Sequence, residues 1–307
     1  MDIILKISQE LMCRQEQVAA AVKLIDEGCT IPFIARYRKE ATGSLNDEQL
    51  RTLDERLTYL RGLEDRKEKV IASIEEQGML TDELKKSILA AETLVAVEDL
   101  YRPYKPKRKT RATIAQSKGL TGLANIISLQ MTNKPISEEA LAYVSEEKEV
   151  HSAEEAIAGA MDIIAESISD NAEYRTEIRS LTMDKGILMT TAKDPEAESV
   201  YEMYYDFSTP VRKMTGYRTL AINRGEKEKF LSVKIEAPVD EITGYLIRQV
   251  IVRDNPNTND ILRNTITDSY ERLIAPSIER DIRSSLTEAA EDGAIKVFGS
   301  NLKQLLM

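Results

Sequence analysis

Residues 46–77 read NDEQLRTLDERLTYLRGLEDRKEKVIASIEEQ, and this stretch decides the fold class. Apolar side chains recur in it at the three- and four-residue spacing that places them on one face of an α-helix. They are Leu50, Leu53, Leu57, Leu60, Val70 and Ile74. The pattern predicts one long amphipathic helix, which follows Asn46 and ends near Gly78. At about 1.5 Å per residue such a helix is about 48 Å long, so we expect it to brace several elements or to form half of a helical hairpin.

Helical periodicity also dominates the rest of the chain. An early helix is predicted to end at Gly28, where a left-handed C-cap suits glycine. The next helix begins at Pro32, whose fixed φ fits a first helical turn, and stops before Gly43. Ser152 and Glu155 have the spacing of a capping box and predict the start of a further helix.

Residues 187–235 have a different character. The segments 187–191, 200–205 and 231–235 are rich in strand-forming residues, and the last alternates apolar with polar side chains. They predict a small antiparallel sheet inside a helical protein. Helix is expected again at Asp240 and after Asn259, with one interruption at Pro276.

The predicted fold class is mainly α: a multi-helical chain with a helix-turn-helix-like N-terminal part and a small antiparallel β-sheet in the second half. The 307 residues are enough for about two domains at roughly 150 residues each. The segment 133–135 breaks the helical pattern, and we place the boundary near residue 130. The expected domains are 1–130, and 131–307 with the β insertion at about 187–235. The apolar last residues, 301–307, suggest the cut end of a longer protein.

Composition excludes several classes of protein. Apolar residues make up 42% and charged residues 31% of the chain, which is typical of a soluble globular protein and not of a disordered one. Cys13 and Cys29 are too few for a disulfide framework or a metal cage, and His151 is the single histidine. No apolar run is long enough to span a membrane, and Asp2 stands where a signal peptide needs bases. We therefore expect a cytoplasmic protein with no metal and no cofactor.

Enzymatic motifs are also missing. The glycines come singly, without a phosphate-binding loop or a dinucleotide fingerprint, and no serine sits in a nucleophile elbow. The segment 254–260 alternates oxygen-bearing side chains, but it lacks the glycine and glutamate of a calcium loop. A turn that ends in a helix cap at Asn259 is the better interpretation. The prediction is a chain that is not an enzyme and has no catalytic residues.

Charge is distributed unevenly along the chain, whose net charge is −10. The segment 137–177 contains twelve acids and two bases, whereas 102–111 contains six bases and no acid. Tyr101 and Tyr104 bracket the first of these bases, and the two prolines predict an extended first half. Such a stretch can follow a phosphate backbone while its rings stack on bases, or it can be a plain solvated loop. The candidate nucleic-acid-binding residues are Arg102, Tyr104, Lys105, Lys107, Arg108, Lys109 and Arg111.

A second group of bases is weaker evidence for binding. On a helix Arg36 and Lys39 would share a face while Arg38 points elsewhere. We interpret these side chains as capping groups or as partners of acids such as Glu40 and Asp47.

Three segments resemble the signatures of the bacterial Tex family of transcription accessory proteins. TIPFIARYRKEATG at 30–43 resembles the first signature, and DLYRPYKPKRKTRA at 99–112, followed by KGL at 118–120, resembles the second. SIERDIR at 277–283 is similar too. Proteins of this family are longer and add a YqgF nuclease-like domain, helix-hairpin-helix motifs and an OB-fold RNA-binding domain. The resemblance implies an N-terminal fragment without those domains, with a role in transcription and nucleic-acid binding.

Two hypotheses for function follow. The first is a non-catalytic transcription accessory fragment that binds nucleic acid, either RNA or DNA, through the basic stretch. The second is a protein-interaction scaffold that docks on RNA polymerase or the ribosome through its long helices. The family resemblance extends to a eukaryotic relative among the transcription elongation factors, which favours a scaffold over a catalyst. Neither hypothesis involves a membrane.

Overall fold

The computed structural model describes residues 2–106 and 109–306. The chain forms two compact units, residues 1–105 and residues 106–307. The mainly helical fold with a small antiparallel sheet in the second half is confirmed. Within the described residues, no helix combines the length and the apolar character that crossing a membrane requires.

The first unit is helical. Its helices are α1 (Ile3–Glu10), α2 (Gln15–Asp26), α3 (Ile31–Tyr37), α4 (Asp47–Glu76), α5 (Asp82–Ala90) and α6 (Leu94–Tyr101). The predicted long helix is confirmed as α4, and a capping box starts it: the Gln49 N–H donates to Asn46 Oδ1 (2.8 Å), and the Asn46 N–H donates to Gln49 Oε1 (3.0 Å). The apolar stripe of α4 is buried against α1, α2, α3, α5 and α6.

The second unit combines helices with the sheet. Its elements are α7 (Arg111–Ser117), α8 (Thr121–Leu129), α9 (Ile136–Leu141), α10 (Ala153–Asp170), α11 (Ala172–Lys185), β1 (Ile187–Ala192), β2 (Asp206–Pro210), α12 (Gly216–Lys227), β3 (Leu231–Glu236), α13 (Val239–Val250), α14 (Asn259–Asp268) and α15 (Ala275–Leu306). Helix α10 packs against α7, α8, α9 and α14. The strands pair in the order β2-β1-β3, both pairs antiparallel, with Leu188 opposite Thr209 on one side and Ile235 on the other.

Because α7 and α8 pack on α10, the second compact unit begins well before the predicted boundary near residue 130. The packing joins residues 111–129 to the helical core that follows them. Compact units and sequence domains need not coincide, so the domain boundary near residue 130 remains a prediction.

The predicted strand at 200–205 is wrong. Glu202–Tyr204 form a 3₁₀ turn, and β2 begins after it. Tyr201 and Tyr204 are both buried, and their three-residue separation suits one side of a helical turn, whereas neighbours on one face of a strand are two residues apart. The two rings therefore enter the core from a turn and not from a sheet.

The interruption predicted at Pro276 is not found there: α15 runs through Pro276, and a π-helical turn precedes that helix. Proline lacks an N–H, and its ring clashes with the carbonyl four residues earlier in a regular α-helix. Here Ser269–Ile274 form a π turn between α14 and α15, and the hydroxyl of the buried Ser269 donates to the Ala165 carbonyl at 2.7 Å. The helical path continues past Pro276 without a break.

The capping box predicted at the start of α10 is formed in part. The Glu155 N–H donates to Ser152 Oγ at 3.2 Å, as the spacing indicates. The Glu155 carboxylate, however, accepts the His151 N–H at 2.8 Å, one residue earlier than a capping box places it.

The far end of α15 carries exposed apolar side chains. Ile295, Val297 and Phe298 are 69%, 61% and 69% exposed. Deleting residues 295–307 is expected to change the melting temperature by less than about 2 °C, because Ile295, Val297 and Phe298 bury little area and their loss costs little stability. Calorimetry should separate this deletion from one that starts at residue 290, because Ala290 is buried against α12. A fall of more than about 5 °C for the shorter deletion would contradict the expectation.

Candidate nucleic-acid interface

The basic stretch begins with a tight turn. Arg102–Tyr104 form a 3₁₀ turn that continues α6, and the Lys105 N–H donates to the Tyr101 carbonyl at 3.0 Å. The predicted extended conformation is wrong for Arg102–Tyr104 and correct for Lys105, which precedes Pro106 at φ −65°, ψ 127°. A following proline biases a residue away from helical conformation without forbidding it, and at Arg102 the continuation of α6 prevails.

The two tyrosines differ in accessibility. Tyr101 is buried, its hydroxyl lies 3.0 Å from Ser73 Oγ, and the Arg66 guanidinium carbon lies 5.4 Å from its ring centroid. Tyr104 is half-buried and packs against the core of the first unit. Tyr101 therefore belongs to the core, and Tyr104 can offer only its exposed part to a base.

Five of the six cations of the stretch fall into three groups. Lys105 and Lys109 are exposed, and neither forms an ion pair with any residue the structure describes. Arg102 is half-buried and engaged in an interaction within the protein. Lys107 and Arg108 lie outside the described residues.

Arg111 stands near acids of its own unit. Thr110 caps α7, so Arg111 is the first residue of that helix and is exposed. Burial raises the pKa of Asp162, and the charges of Arg272 and Arg111 partly offset that effect. The hydrogen bond from Arg272 lowers the pKa of Asp268, and the charge of Arg111 adds to this lowering. Arg111 is thus partly neutralised by carboxylates of α10 and α14, and is a weaker candidate for a phosphate contact than Lys105 or Lys109.

The structure leaves three cations near the end of α3 exposed: Arg36, Arg38 and Lys39. None of them forms an ion pair within the described part of the chain, and Asp47, one of the acids expected to hold them, pairs with Arg51 at 2.8 Å. Helix α3 ends at Tyr37, so the helical spacing used to discount these cations does not apply beyond that residue. The sequence signal that could have found them is the interleaving of bases with Phe33 and Tyr37.

The segment 254–260 is a hydrogen-bonded turn, as predicted. The residues just before the turn are fixed by Gln130, whose Oε1 accepts the N–H groups of Val252 (3.1 Å) and Arg253 (3.0 Å). The helix that follows begins at Asn259, with Thr258 as the capping residue, one position earlier than predicted. In the described ranges 2–106 and 109–306, no group of three or more His, Cys, Asp and Glu side chains is placed to hold a metal ion.

The thiols and the histidine stand apart from the basic stretch in sequence. Cys13 and Cys29 are half-buried free thiols, and burial raises the pKa of Cys13. His151 is exposed.

These features describe a mainly helical protein that presents exposed basic segments. Its sequence matches the Tex-like protein N-terminal domain over residues 1–75 and the Tex central region-like domain over residues 131–298. The chain belongs to the Tex family. The cations near α3 lie inside the first match, whereas the basic stretch 102–111 lies between the two.

Individual relatives support the same assignment. The chain is 48% identical over 305 residues to the uncharacterized protein YdcI of Bacillus subtilis, covering 98% of this chain and 42% of that protein. It is 40% identical over 317 residues to the transcriptional accessory protein Tex of Neisseria gonorrhoeae, with 100% and 41% covered. The human S1 RNA-binding domain-containing protein 1 is 30% identical over 307 residues, with 94% and 30% covered. The chain thus spans about two fifths of the length of its bacterial relatives.

Proposed function

We propose that this chain is a non-catalytic, nucleic-acid-binding part of a cytoplasmic transcription accessory protein. The proposed contacts are Arg102, Tyr104, Lys105, Lys107, Arg108, Lys109 and Arg111. One observation supports the proposal most directly: Lys105 and Lys109 are exposed and form no ion pair with the described residues, so their charges are available to phosphates. Two relatives support the functional class through their names, one as a transcriptional accessory protein and one for an RNA-binding domain.

The acids of the segment 137–177 weaken the attraction of these lysines for phosphates only where they lie close to them. At about 0.1 M salt the Debye length is about 10 Å, so exposed charges farther apart than that barely affect one another. Arg111, whose charge favours the ionised forms of Asp162 and Asp268, is the exception and is expected to contribute least.

Replacing Lys105, Lys107 and Lys109 with alanine is expected to weaken binding to RNA and DNA of every sequence alike. Removing one lysine–phosphate ion pair flattens the log–log dependence of affinity on salt by about 0.9 on duplex DNA and about 0.7 on single strands. Three such pairs therefore change the slope by about 2.7 and about 2.1. Fluorescence anisotropy with labelled duplex and single-stranded oligonucleotides, between roughly 50 and roughly 200 mM salt, measures both slopes.

The matched control replaces Lys23, Lys85 and Lys86, which are also exposed lysines without an ion pair to any described residue. It removes the same charge from α2 and α5 of the first unit, and it should change the slope much less. Equal slopes for the two triple variants would mean that the basic stretch is ordinary solvated surface.

A scaffold that docks on RNA polymerase or the ribosome is the second candidate function. The observation in its favour is the exposed apolar end of α15, formed by Ile295, Val297 and Phe298. Contiguous exposed apolar surface marks interaction sites, and Ile295 and Phe298, three residues apart, share one face of the helix. The scaffold function is favoured if the triple lysine variant and the parent chain bind nucleic acid with the same affinity.

A further inference from the structure

Two aromatic rings are exposed side by side on α3. Phe33 is 38% exposed and Tyr37 is 62% exposed, and their ring centroids lie 5.3 Å apart at an interplanar angle of 48°. Exposed aromatic rings forgo the burial that stabilises most such side chains. They are a surface on which another planar group can stack.

Two cations lie over these rings, and a third follows them in the chain. The guanidinium carbon of Arg38 lies 5.5 Å from the Phe33 centroid, and that of Arg36 lies 6.0 Å from the Tyr37 centroid. Lys39 is exposed beside them in the chain. We call Phe33, Arg36, Tyr37, Arg38 and Lys39 the α3 patch.

The backbone of the α3 patch is fixed by a buried side chain and by hydrogen bonds. Ile34 is fully buried in the core of the first unit, on the α3 turn that carries the rings. Just after the patch, the fully buried Thr42 donates its hydroxyl to the Arg38 carbonyl (3.2 Å), and its N–H donates to the same carbonyl (3.1 Å). Gln17 Nε2, from α2, donates to the Gly43 carbonyl at 2.8 Å.

Gly43 completes this arrangement. Its φ is +59°, and a Cβ there would lie 2.8 Å from Gln17 Nε2. A side chain at this position would therefore be strained and would push the anchoring amide away. The α3 patch is thus presented on a fixed backbone, so its groups lose little backbone freedom when they bind.

We propose that the α3 patch binds single-stranded nucleic acid, with bases stacked on Tyr37 and Phe33 and phosphates paired with Arg36, Arg38 and Lys39. Any unpaired base has a free face for stacking, whereas the faces of paired bases are covered inside a duplex. The patch differs from the basic stretch in residues and in chemistry. It deepens the nucleic-acid binding proposed above, yet either surface can fail alone.

Charge favours this occupant over a protein. Three cations lie within four consecutive residues, and Glu40 is the one acid adjacent to them in the chain. Arginine and aromatic residues are enriched in protein interfaces while lysine is depleted, so residue type alone does not exclude a protein. A protein partner would, however, have to place several acids opposite three neighbouring cations. A phosphate backbone supplies the opposite charge at each step along its length.

The test measures the fluorescence anisotropy of labelled oligo(U) and oligo(dT) of about 15 nucleotides, and of a duplex of the same length, with the full 307-residue chain. Tyr37→Ala is expected to weaken binding of both single strands about tenfold and to leave duplex binding unchanged, because it removes a stacking ring and no charge. Tyr37→Phe, the matched control, keeps the ring and should bind like the parent. Since Tyr37 is exposed, the melting temperature should not change in either variant.

The outcomes separate the two surfaces. The triple lysine variant of the basic stretch should weaken duplex and single strands alike, whereas Tyr37→Ala affects single strands only. If Tyr37→Ala binds oligo(U) and oligo(dT) as the parent does, the proposal is overturned and a protein becomes the better occupant. Failure of the parent chain to bind either single strand at about 0.05 M salt would also overturn it.

Discussion

Replacing Asp281 with alanine is expected to destabilise the protein by about 3 kcal/mol, because it removes an anion shared by two arginines of α11. Arg175 is fully buried and lies 3.5 Å from Asp281 Oδ2, and Arg179 donates to the same oxygen at 3.1 Å. Arg175 also donates to Ser277 Oγ at 2.8 Å, so α15 supplies it with two contacts. Without the carboxylate, both guanidinium groups lose a counter-charge in a poorly solvated place.

Asp184→Ala is the matched control for this experiment. Asp184 also pairs with an arginine, Arg212, at 2.8 Å, but the two side chains are 57% and 60% exposed. An exposed pair contributes between 0 and about 1 kcal/mol, so this variant should differ little from the parent. Thermal unfolding should show a fall of about 6–12 °C for Asp281→Ala, at about 2–4 °C per kcal/mol for a unit of this size. Equal shifts for the two aspartate variants would show that the contacts between α11 and α15 contribute no more than a surface pair.

Much of the fold follows from local sequence rules. The spacing of apolar residues in α4 predicts its limits to within a residue, and Gly28 has the positive φ of +83° that its place after α2 indicates. The strands β1 and β3 are found where strand-forming residues cluster. The sequence misplaces β2 because tyrosines are common in strands, whereas Tyr201 and Tyr204 are buried from a 3₁₀ turn.

The candidate sites are less accessible to such rules. The exposure of Lys105 and Lys109 follows from composition, but the turn at Arg102–Tyr104 depends on where α6 ends. Helical spacing does not predict the α3 patch, because α3 ends at Tyr37 and Arg38 and Lys39 lie beyond it. Arg38 then folds back over Phe33, five residues earlier, which no helical wheel shows. Contacts made across a turn need the conformation of the turn, and that conformation depends on a local hydrogen bond from Thr42 and on Gln17 of α2 as a tertiary partner.

At Lys67 the residue type predicts an exposed side chain, whereas the position in the helix predicts a buried one. Lysine is almost never fully buried without a partner, yet Lys67 lies between Leu63 and Val70 in the buried stripe of α4 and is itself fully buried. Its ammonium donates to Glu64 Oε1 at 2.8 Å and to the Leu89 carbonyl, in α5, at 2.9 Å. The apolar spacing alone indicates that this position faces the core.

Glu64→Ala is expected to cost about 3 kcal/mol, because it removes the carboxylate from a fully buried ammonium and leaves the Leu89 carbonyl as its remaining described acceptor. Burial raises the pKa of Glu64, but Lys67 and other nearby positive charge outweigh burial and hold the pKa below its ordinary value. A carboxyl with a lowered pKa stabilises the folded state above its ordinary pKa and loses that effect as the pH falls. The difference between parent and Glu64→Ala should therefore be full at neutral pH and shrink in acid.

Adding Lys67→Met to Glu64→Ala is expected to recover most of the lost stability. The thioether chain fills the volume of the lysine stem without a charge, and replacing both members of a buried pair by apolar groups is far less costly than removing one. Asp65→Ala, one residue further along α4, is the control: it removes the partner of the exposed Lys69 and should change stability by less than about 0.5 kcal/mol. Urea unfolding of the single and double variants measures the coupling between Glu64 and Lys67. Simple addition of the two single effects would show that the ammonium is hydrated when its carboxylate is gone, and that α4 can open at this position to admit water.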